Sequence, residues 1–599
     1  MAAQTDADAV VDAQADEDLA AEIEWLVDHP VNLGNDPLGV LEAVPGVPAG
    51  FAARAENARA LLPFRRAEGL LRVPGADPQL LARLRPYVVA PAAVSRTRGR
   101  LSFESSFGGL PRGERLIERS EFARGGVRFG GVLERDPRER ALADYRSAWL
   151  DLRAGRARVV AGALDVDWGR GLVLSSARAA TGAALSLDRA LRAGRGLSAH
   201  RGVGEEGHFR GVAAEVGGAR CAITVLGSRT PRDARVNDEG NVTSLADGGL
   251  HRTASEVAAR DRLDDATAAV RAELRWRGGA RLATSFRATG LNPPLAPRTG
   301  SSLPTGRRDS AAGADLAAPL GPVFVAAEWA VRAGGGAARI GGAEWRRGAS
   351  AVALTARRYD ANYRTLHAAP PAARGRSANE VGLTWRARTR VAGVALEAVH
   401  DRWSDVAPPR EGSALEHGRE TRVALEAGRG ARRYAVVASR KTRFEELAGD
   451  SNELDASDRY ALRVQLENRL RGNSTVSLVA SGVTLRSDGE ESRRGGYVQG
   501  RVRIGGFAGF RPAFSATRFS GDSGAVVPRL PETLFPGSVR FVSLASSARL
   551  SGWRTSLVVE RVLTREARLS IGAVVHAPRG AAAVAEGALS LRIGPSRIP

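Results

Sequence analysis

The stretch DRYALRVQLENRLRGNSTVSLVASGVTLR, Asp458 to Arg486, changes character at every second residue. Tyr460, Leu462, Val464 and Leu466 fall on one face of an extended chain, while Arg459, Arg463, Gln465, Glu467 and Arg469 fall mainly on the other. Arg471-Gly472-Asn473-Ser474 has turn chemistry, after which Val476, Leu478 and Ala480 resume the apolar face. The pattern predicts a β-hairpin with one greasy and one polar side.

Working outward, the same pattern recurs. In ARVVAGALDVDWGRGLVL, Val160, Leu164, Val166 and Trp168 oppose Asp165 and Asp167; in GGYVQGRVRIGG, Val498, Val502 and Ile504 oppose Gln499, Arg501 and Arg503. RVALEAGRGARRYAVVASR predicts another hairpin, turning at Gly428-Arg429-Gly430. Helical periodicity is nearly absent from Leu101 to the C-terminus. So many two-faced strands leave edges that must be closed, and closure on itself puts apolar side chains toward lipid and polar ones toward a lumen. The fold expected is mainly β: a large antiparallel transmembrane β-barrel of about 22–26 strands, at about twenty residues per strand and turn. The Pro/Gly-rich stretches 288–322 and DRWSDVAPPREGSALEHGRETR read as long loops on one rim. Aromatics at 5% and a C-terminus without a final aromatic residue (ALSLRIGPSRIP) are the features that argue the other way.

The formal charge of +21 is carried almost wholly by arginine, the single lysine being Lys441. Such basicity suits anionic partners, among them phosphates and lipopolysaccharide, and also fits a general Arg/Ala/Gly bias. One cysteine, Cys221, excludes an internal disulfide framework and any multi-cysteine metal site. No run of eighteen apolar residues marks a membrane-spanning helix. Residues 1–21 read as a disordered acidic tail: nine acids from Asp6 to Asp28 stand without a Lys or Arg, and no secretory leader is legible.

Before the strands lies a helical module, residues 22–88, joined by a linker at 89–100 to the barrel at 101–599. Leu38, Leu41 and Val44 lead into Pro45-Gly46-Val47 and a helix through Phe51 and Ala55. Leu70, Leu71 and Val73 lead into Pro74-Gly75-Ala76 and a helix through Leu80, Leu81 and Leu84. Helix, Pro-Gly turn, helix is the order of a helix-hairpin-helix motif, whose outward backbone amides hold a phosphate oxygen. The module resembles the paired hairpin domains of periplasmic competence DNA receptors. That resemblance implies a small all-α domain contacting DNA through Gly46, Val47, Ala49, Gly50, Arg54, Gly75, Ala76, Gln79 and Arg83. The sequence departs from the motif at Pro48 and Asp77, where a second turn glycine is expected; proline has no amide hydrogen and aspartate repels phosphate. From Asp36 to Val89, seven arginines face five acids, a balance that equally fits a module binding periplasmic protein.

A second resemblance spans the chain. The hairpin module followed by LERDPRERALADYRSAWL, VVAGALDVDWGRGLVL, HFRGVAAEV, GLHRTASEV and FSGDSGAVVPRLPETLF is similar to a family of Gram-negative envelope proteins. In that family a helix-hairpin-helix domain precedes an outer-membrane β-barrel. It implies outer-membrane placement with a periplasmic module, lipid and lipopolysaccharide as surroundings, no cofactor, and passage or capture of a polymer, DNA included. The other reading is a structural or assembly protein of the envelope.

Enzymatic signals are thin, and no catalysis is expected. GDSG, Gly521 to Gly524, resembles the nucleophile motif of trypsin-like proteases, but His200 in SAHRG lacks the flanks of a base histidine. GVGEEG, Gly202 to Gly207, fits GxGxxG, yet Glu205 and Glu206 oppose a pyrophosphate. Histidines are scattered without zinc spacing. His251, with Arg252 and Glu256, is expected in a polar cluster at the lumen or rim. Asp165 and Asp167, two apart on one side, are expected to meet lumen arginines such as Arg158.

Overall fold

The computed structural model describes Leu26, residues 30–89 with short interruptions, and most of 98–594; the larger stretches outside it are 1–25, 90–97, 177–182, 409–413, 447–453, 523–529, 533–539, 543–549 and 595–599. The acidic tail, most of the linker and the Ser523 motif therefore lie outside the described residues.

From Arg98–Gly108 to Val584–Ile593 the chain runs up and down through a closed antiparallel barrel of 24 strands, within the range the alternation predicts. Closure is made by the first strand against the last, Leu101 opposite Ile593 and Phe107 opposite Gly587. The quoted hairpin is strand Leu454–Arg469 against Thr475–Ser487, Leu466 opposite Leu478. Leu462 and Leu478 are about half exposed outward, while Arg463, Gln465 and Val479 are buried inward. The same inversion of a soluble protein holds around the wall. Val270, Leu274, Phe286, Leu383 and Val498 are exposed, whereas Asp265, Thr267, Arg287, Thr384 and Gln499 are buried. An outward surface this apolar is a lipid-facing one. Trp276, Trp329, Trp345, Trp385 and Trp553 stand outward on it, while Trp149, Trp168 and Trp403 are buried. No described helix is long and apolar enough to cross a membrane; the strands do. The architecture is that of an outer-membrane β-barrel.

The two rims differ. One carries both wall termini and tight connections, such as Gly125-Gly126, Gly155-Arg156, Gly348-Ala349 and Gly430-Ala431. The other carries the long connections, including 168–208, 233–262 and 360–379. Short turns and termini mark the periplasmic side of such barrels, long loops the outside.

Several expectations are corrected. Residues 288–322 are not one loop: strands Arg281–Leu295 and Gly306–Leu320 occupy most of them, because an Ala/Gly/Asp wall hides its alternation. The hairpin expected around Gly428-Arg429-Gly430 is present, its turn falling on Gly430-Ala431 with Arg429 opposite Arg432. The first strand begins at Arg98 rather than Leu101. Helices Ala183–Leu191 and Ala254–Ala259 interrupt the β region.

Val160, Leu164, Val166 and Trp168 do not face lipid; with Phe209, Leu197 and Leu226 they form a core inside the barrel. The register runs unbroken through strand Ala157–Asp167: Val160 opposes the buried Asp151 and Ala213, and Leu164 opposes Phe209, so their face is the lumen face. Gly162 sits on it at φ 92°. A Cβ there would sit 2.2 Å from the Ala148 carbonyl oxygen. Gly162→Ala is expected to destabilise the barrel by about 1–3 kcal/mol. A thermal melt followed by gel mobility checks this; an unchanged transition would mean that the Ala148 carbonyl gives way to the added methyl at no cost.

The N-terminal module has its own core of Leu26, Val31, Leu38, Leu41, Phe51, Phe64, Leu70, Leu84 and Tyr87. It is not purely helical: Val31–Asn32 pairs in parallel with Val88–Val89. Helices Phe51–Leu61 and Pro78–Leu84 flank a 3-10 turn, Ala67–Arg72.

Candidate functional site

Trp168 begins the connection that decides what the barrel can do. The segment 168–176 leaves the wall and enters the lumen. Gly169 and Gly171, at φ 58° and 86°, let it turn tightly enough to lie against the opposite wall. A Cβ on Gly169 would meet the Glu328 carboxylate at 2.7 Å. Arg170 is fully buried. Its backbone amide donates to Glu328, its Nε to the Ala190 carbonyl at 3.2 Å and its Nη1 to Asp315 at 3.3 Å. Arg271 shares Asp315 from the other side at 2.6 Å and reaches Ser285 at 3.0 Å. Burial pulls the Arg170 guanidinium down to about 10 against the opposing pull of Asp315, so it stays charged at neutral pH. Further along, the Val173 carbonyl accepts from Arg287 Nε at 3.1 Å.

The connection 360–379 folds in beside it. Thr365 donates to Asp309 at 2.9 Å, and Asp309 also holds Arg287 at 2.8 Å. His367 Nε2 lies 3.0 Å from Asp265. The two inward segments bond to each other. Ser175 N donates to the His367 carbonyl at 2.9 Å, Ala369 N to Gly171 at 2.9 Å, and Tyr363 OH to Leu172 at 2.9 Å. Helix Ala183–Leu191 then packs along strands from Val323–Arg332 to His417–Arg429, Leu187 and Leu191 meeting Ala353. Arg189 on this helix reaches back to Asp167 at 2.8 Å, and Asp188 pairs with Arg386 of the wall. The result is an inward-folded plug fastened to one side of the lumen.

Across the lumen the wall is basic. Strands Thr475–Ser487 and Arg493–Arg503 contain no acidic residue, and inward positions there and next to them hold Arg463, Arg501, Arg503 and Arg511. Acids on this side pair locally: Glu420 with Lys441 at 3.6 Å, Glu560 with Arg511 at 3.1 Å, and Glu104 with Arg592 at 3.1 Å.

At the long-loop rim, three connections meet at His251. Its ring bridges Asp144 on Nδ1 and Asp233 on Nε2, the latter at 2.7 Å, and its amide donates to Glu139 at 3.1 Å. Arg260 holds the other oxygen of Asp144 at 2.6 Å. Burial opposes the His251 charge, but the hydrogen bonds to Asp144 and Asp233 outweigh it and its pKa is raised. Burial pushes the nearby Glu205 up to about 8, with Asp144, Glu139 and Glu134 adding to it against the attraction of His251. Donor atoms of Glu139, Asp144 and His251 lie within 4.8 Å of one another, a spacing that suits a cation; Arg260 and His251 already supply positive charge there. Arg252 and Glu256, read with His251 in the sequence, instead pair with each other at 3.2 Å, where Glu256 completes a capping box with Thr253.

The expected carboxylate pairings are corrected in the same region. Arg158 goes to Asp151 at 2.9 Å, not to Asp165 or Asp167. Asp165 meets His200 at 3.0 Å, and Asp167 takes Arg189 and Ser175. His200 is also stacked on His208, their ring centres 4.4 Å apart. GVGEEG lies in a rim connection, not between a strand and a helix.

Of the hairpin residues, Gly46, Ala49, Gly50 and Gly75 lie outside the described residues, as does the side chain of Gln79. Val47 and Ala76 pack against the module core, and Arg54 and Arg83 are half-buried on their helices. Asp77 caps helix Pro78–Leu84, accepting from Leu80 N at 2.6 Å, so its carboxylate takes the place at which a phosphate oxygen would bind.

No family model matches the chain, and no curated protein matches it. Among solved structures it is similar to the siderophore receptor PirA from Acinetobacter baumannii, at 7% identity and a TM-score of 0.43 over 85% of this chain and 82% of that one. A mutant ferric enterobactin receptor, PfeA from Pseudomonas aeruginosa, gives 10% and 0.45 over 85% and 82%. The translocation pore of the P pilus usher PapC gives 12% and 0.37 over 83% and 99%.

Proposed function

We propose that this chain is an outer-membrane conduit for negatively charged cargo, with a plug that leaves the basic side of its lumen as the path. The observation that carries the reading is the division of the lumen. The inward connections fasten to strands 263–429, while the strands across from them present arginine with few acids. Fixed positive charge along a water-filled path selects anions. The closed, lipid-facing wall supports membrane transport. A polyanion such as DNA is the cargo that the hairpin resemblance of the N-terminal module would add, and Gly46, Arg54, Gly75 and Arg83 remain the residues to test for it. An assembly role, with the module holding a periplasmic protein, is the competing reading.

Purified full-length protein in a planar bilayer under a KCl gradient should give a reversal potential of the sign set by chloride. Arg501→Glu with Arg503→Glu should move that potential toward cation preference. A barrel that inserts but never conducts would overturn the conduit reading and favour assembly; cation preference in the unaltered protein would overturn the anionic cargo.

A further inference from the structure

The outer face of the wall, which conduction does not use, carries a second kind of site. On strands Val323–Arg332, Ala337–Arg347 and Ser350–Tyr359 the outward residues Ala327, Gly341 and Ala356 stand opposite one another in register. Their small side chains floor a groove of about 1390 Å³ between Leu316 and Leu383. One row nearer the long-loop rim the opposed residues are Trp329, Arg339 and Arg358, and Arg402 closes the groove beside Leu383. Two arginines directly opposite each other on a sheet face repel. Among the described residues Arg339 and Arg402 have no carboxylate partner, and Arg358 has Asp360 at 3.5 Å. Outward arginine costs about 2–4 kcal/mol at the bilayer midplane and about 0–1 near the interface, so this row belongs at headgroup depth.

A second outward groove further round the wall is lined differently, with Leu462 in its floor and Arg440 held by Asp458 at 2.8 Å. Ala438, Leu462 and Gly482 are in register under a row of Arg440, Tyr460 and Thr484, with Arg494 next, bounding a groove of about 990 Å³. The guanidinium groups of Arg440 and Arg486 lie 5.2 and 5.6 Å from the Tyr460 ring centre.

We infer that the larger groove binds a phosphorylated, multiply acylated glycolipid of the outer leaflet: acyl chains over the small-residue floor, phosphates on the arginines. Charge complementarity selects this occupant. An apolar floor alone suits any lipid, but two opposed arginines at headgroup depth on the outer side suit a bis-phosphate. The inference rests on the outer-membrane reading with the long loops outside.

The test uses full-length protein in detergent and native mass spectrometry with diphosphoryl lipid A, its dephosphorylated form and phosphatidylglycerol as probes. Diphosphoryl lipid A should be retained, and Arg339→Glu with Arg358→Glu should weaken retention at the larger groove by about tenfold per arginine. The milder pair Arg339→Gln and Arg358→Gln should show a smaller loss in the same direction. Equal retention of the dephosphorylated form, or full retention after charge reversal, would overturn the site. Phosphatidylglycerol binding as tightly as lipid A would overturn the glycolipid assignment. Heat-modifiable gel mobility reports the barrel independently: its loss in the unaltered protein would remove the membrane reading instead.

Discussion

Arg170→Ala should raise single-channel conductance severalfold and lower the melting transition of the detergent-solubilised barrel. The side chain is fully buried and is one of two cations shown hydrogen-bonding to Asp315, where Glu328 also takes its backbone amide. Removing one member of a buried ionic group strands the others, at a cost of about 3–5 kcal/mol. Most of that cost is escaped if the segment 168–176 leaves the opposite wall and lets water reach Asp315 and Glu328. The plug then loosens and conductance rises. Lysine at this position would keep the charge but lose the planar fork that spans the Ala190 carbonyl and Asp315 together, so Arg170→Lys should fall between the two. Adding Glu328→Gln to Arg170→Ala should recover part of the loss, because the two residues share one network. Conductance and melting both unchanged in Arg170→Ala would mean that the plug is not fastened here.

The wall was legible in the sequence because its physics is repetitive. Leu462 against Arg463 and Val498 against Gln499 each state the same two-sided solvent problem, and 24 strands repeat it. Where the repeat is locally hidden, the reading failed. Residues 311–318 carry little contrast between faces, so a strand passed for a loop. In strand Ala157–Asp167 the apolar parity of Val160, Leu164 and Val166 is the lumen face, and alternation alone does not say which face is which. The plug could not be read at all. Arg170 meets Glu328 and Asp315 across 158 and 145 residues of sequence, and no local pattern announces contacts of that span. The available hint was the WGRG stretch at Trp168: two glycines around a lone arginine, where a plain rim loop would need none. The lipid-facing grooves were hidden for the opposite reason. Ala327, Gly341 and Ala356 are ordinary outward residues, and only the register of three strands places them in a row beneath Arg339 and Arg358.

Raising the pH from about 6.5 to about 8 should release the rim connections, and the direction follows from the groups that meet there. Glu205 has its carboxyl pushed from 4.5 up to about 8 by burial, with Asp144, Glu139 and Glu134 adding to it. Its protonated form is the one the closed rim favours. That contribution is complete below 4.5 and is lost as pH climbs to about 8. His251 is raised above 6.5 by Asp144 and Asp233 in spite of burial, and His200 by Asp165 likewise, so their contributions are complete below 6.5 and lost above it. His208 runs the other way: burial first, then the stacked His200, lowers it from 6.5 to about 3, and neither ring nitrogen has a hydrogen-bond partner. Its contribution is present above 6.5 and lost as pH falls. Between about 4.5 and 6.5 the losses of Glu205 and the gains of His208 offset each other, giving a plateau; above it every remaining term has the same sign. Each proton carries about tenfold per pH unit in the closing equilibrium, so the combined loss over the next unit should exceed tenfold. Hydrogen-exchange protection of residues 233–262, corrected at each pH for the intrinsic exchange rate, measures it. Glu205→Gln should remove one proton from the slope without abolishing it, since His251 still titrates. Protection that stays level from pH 6 to 8, in the unaltered protein, would show that the bridge from Asp144 through His251 to Asp233 does not hold these connections together.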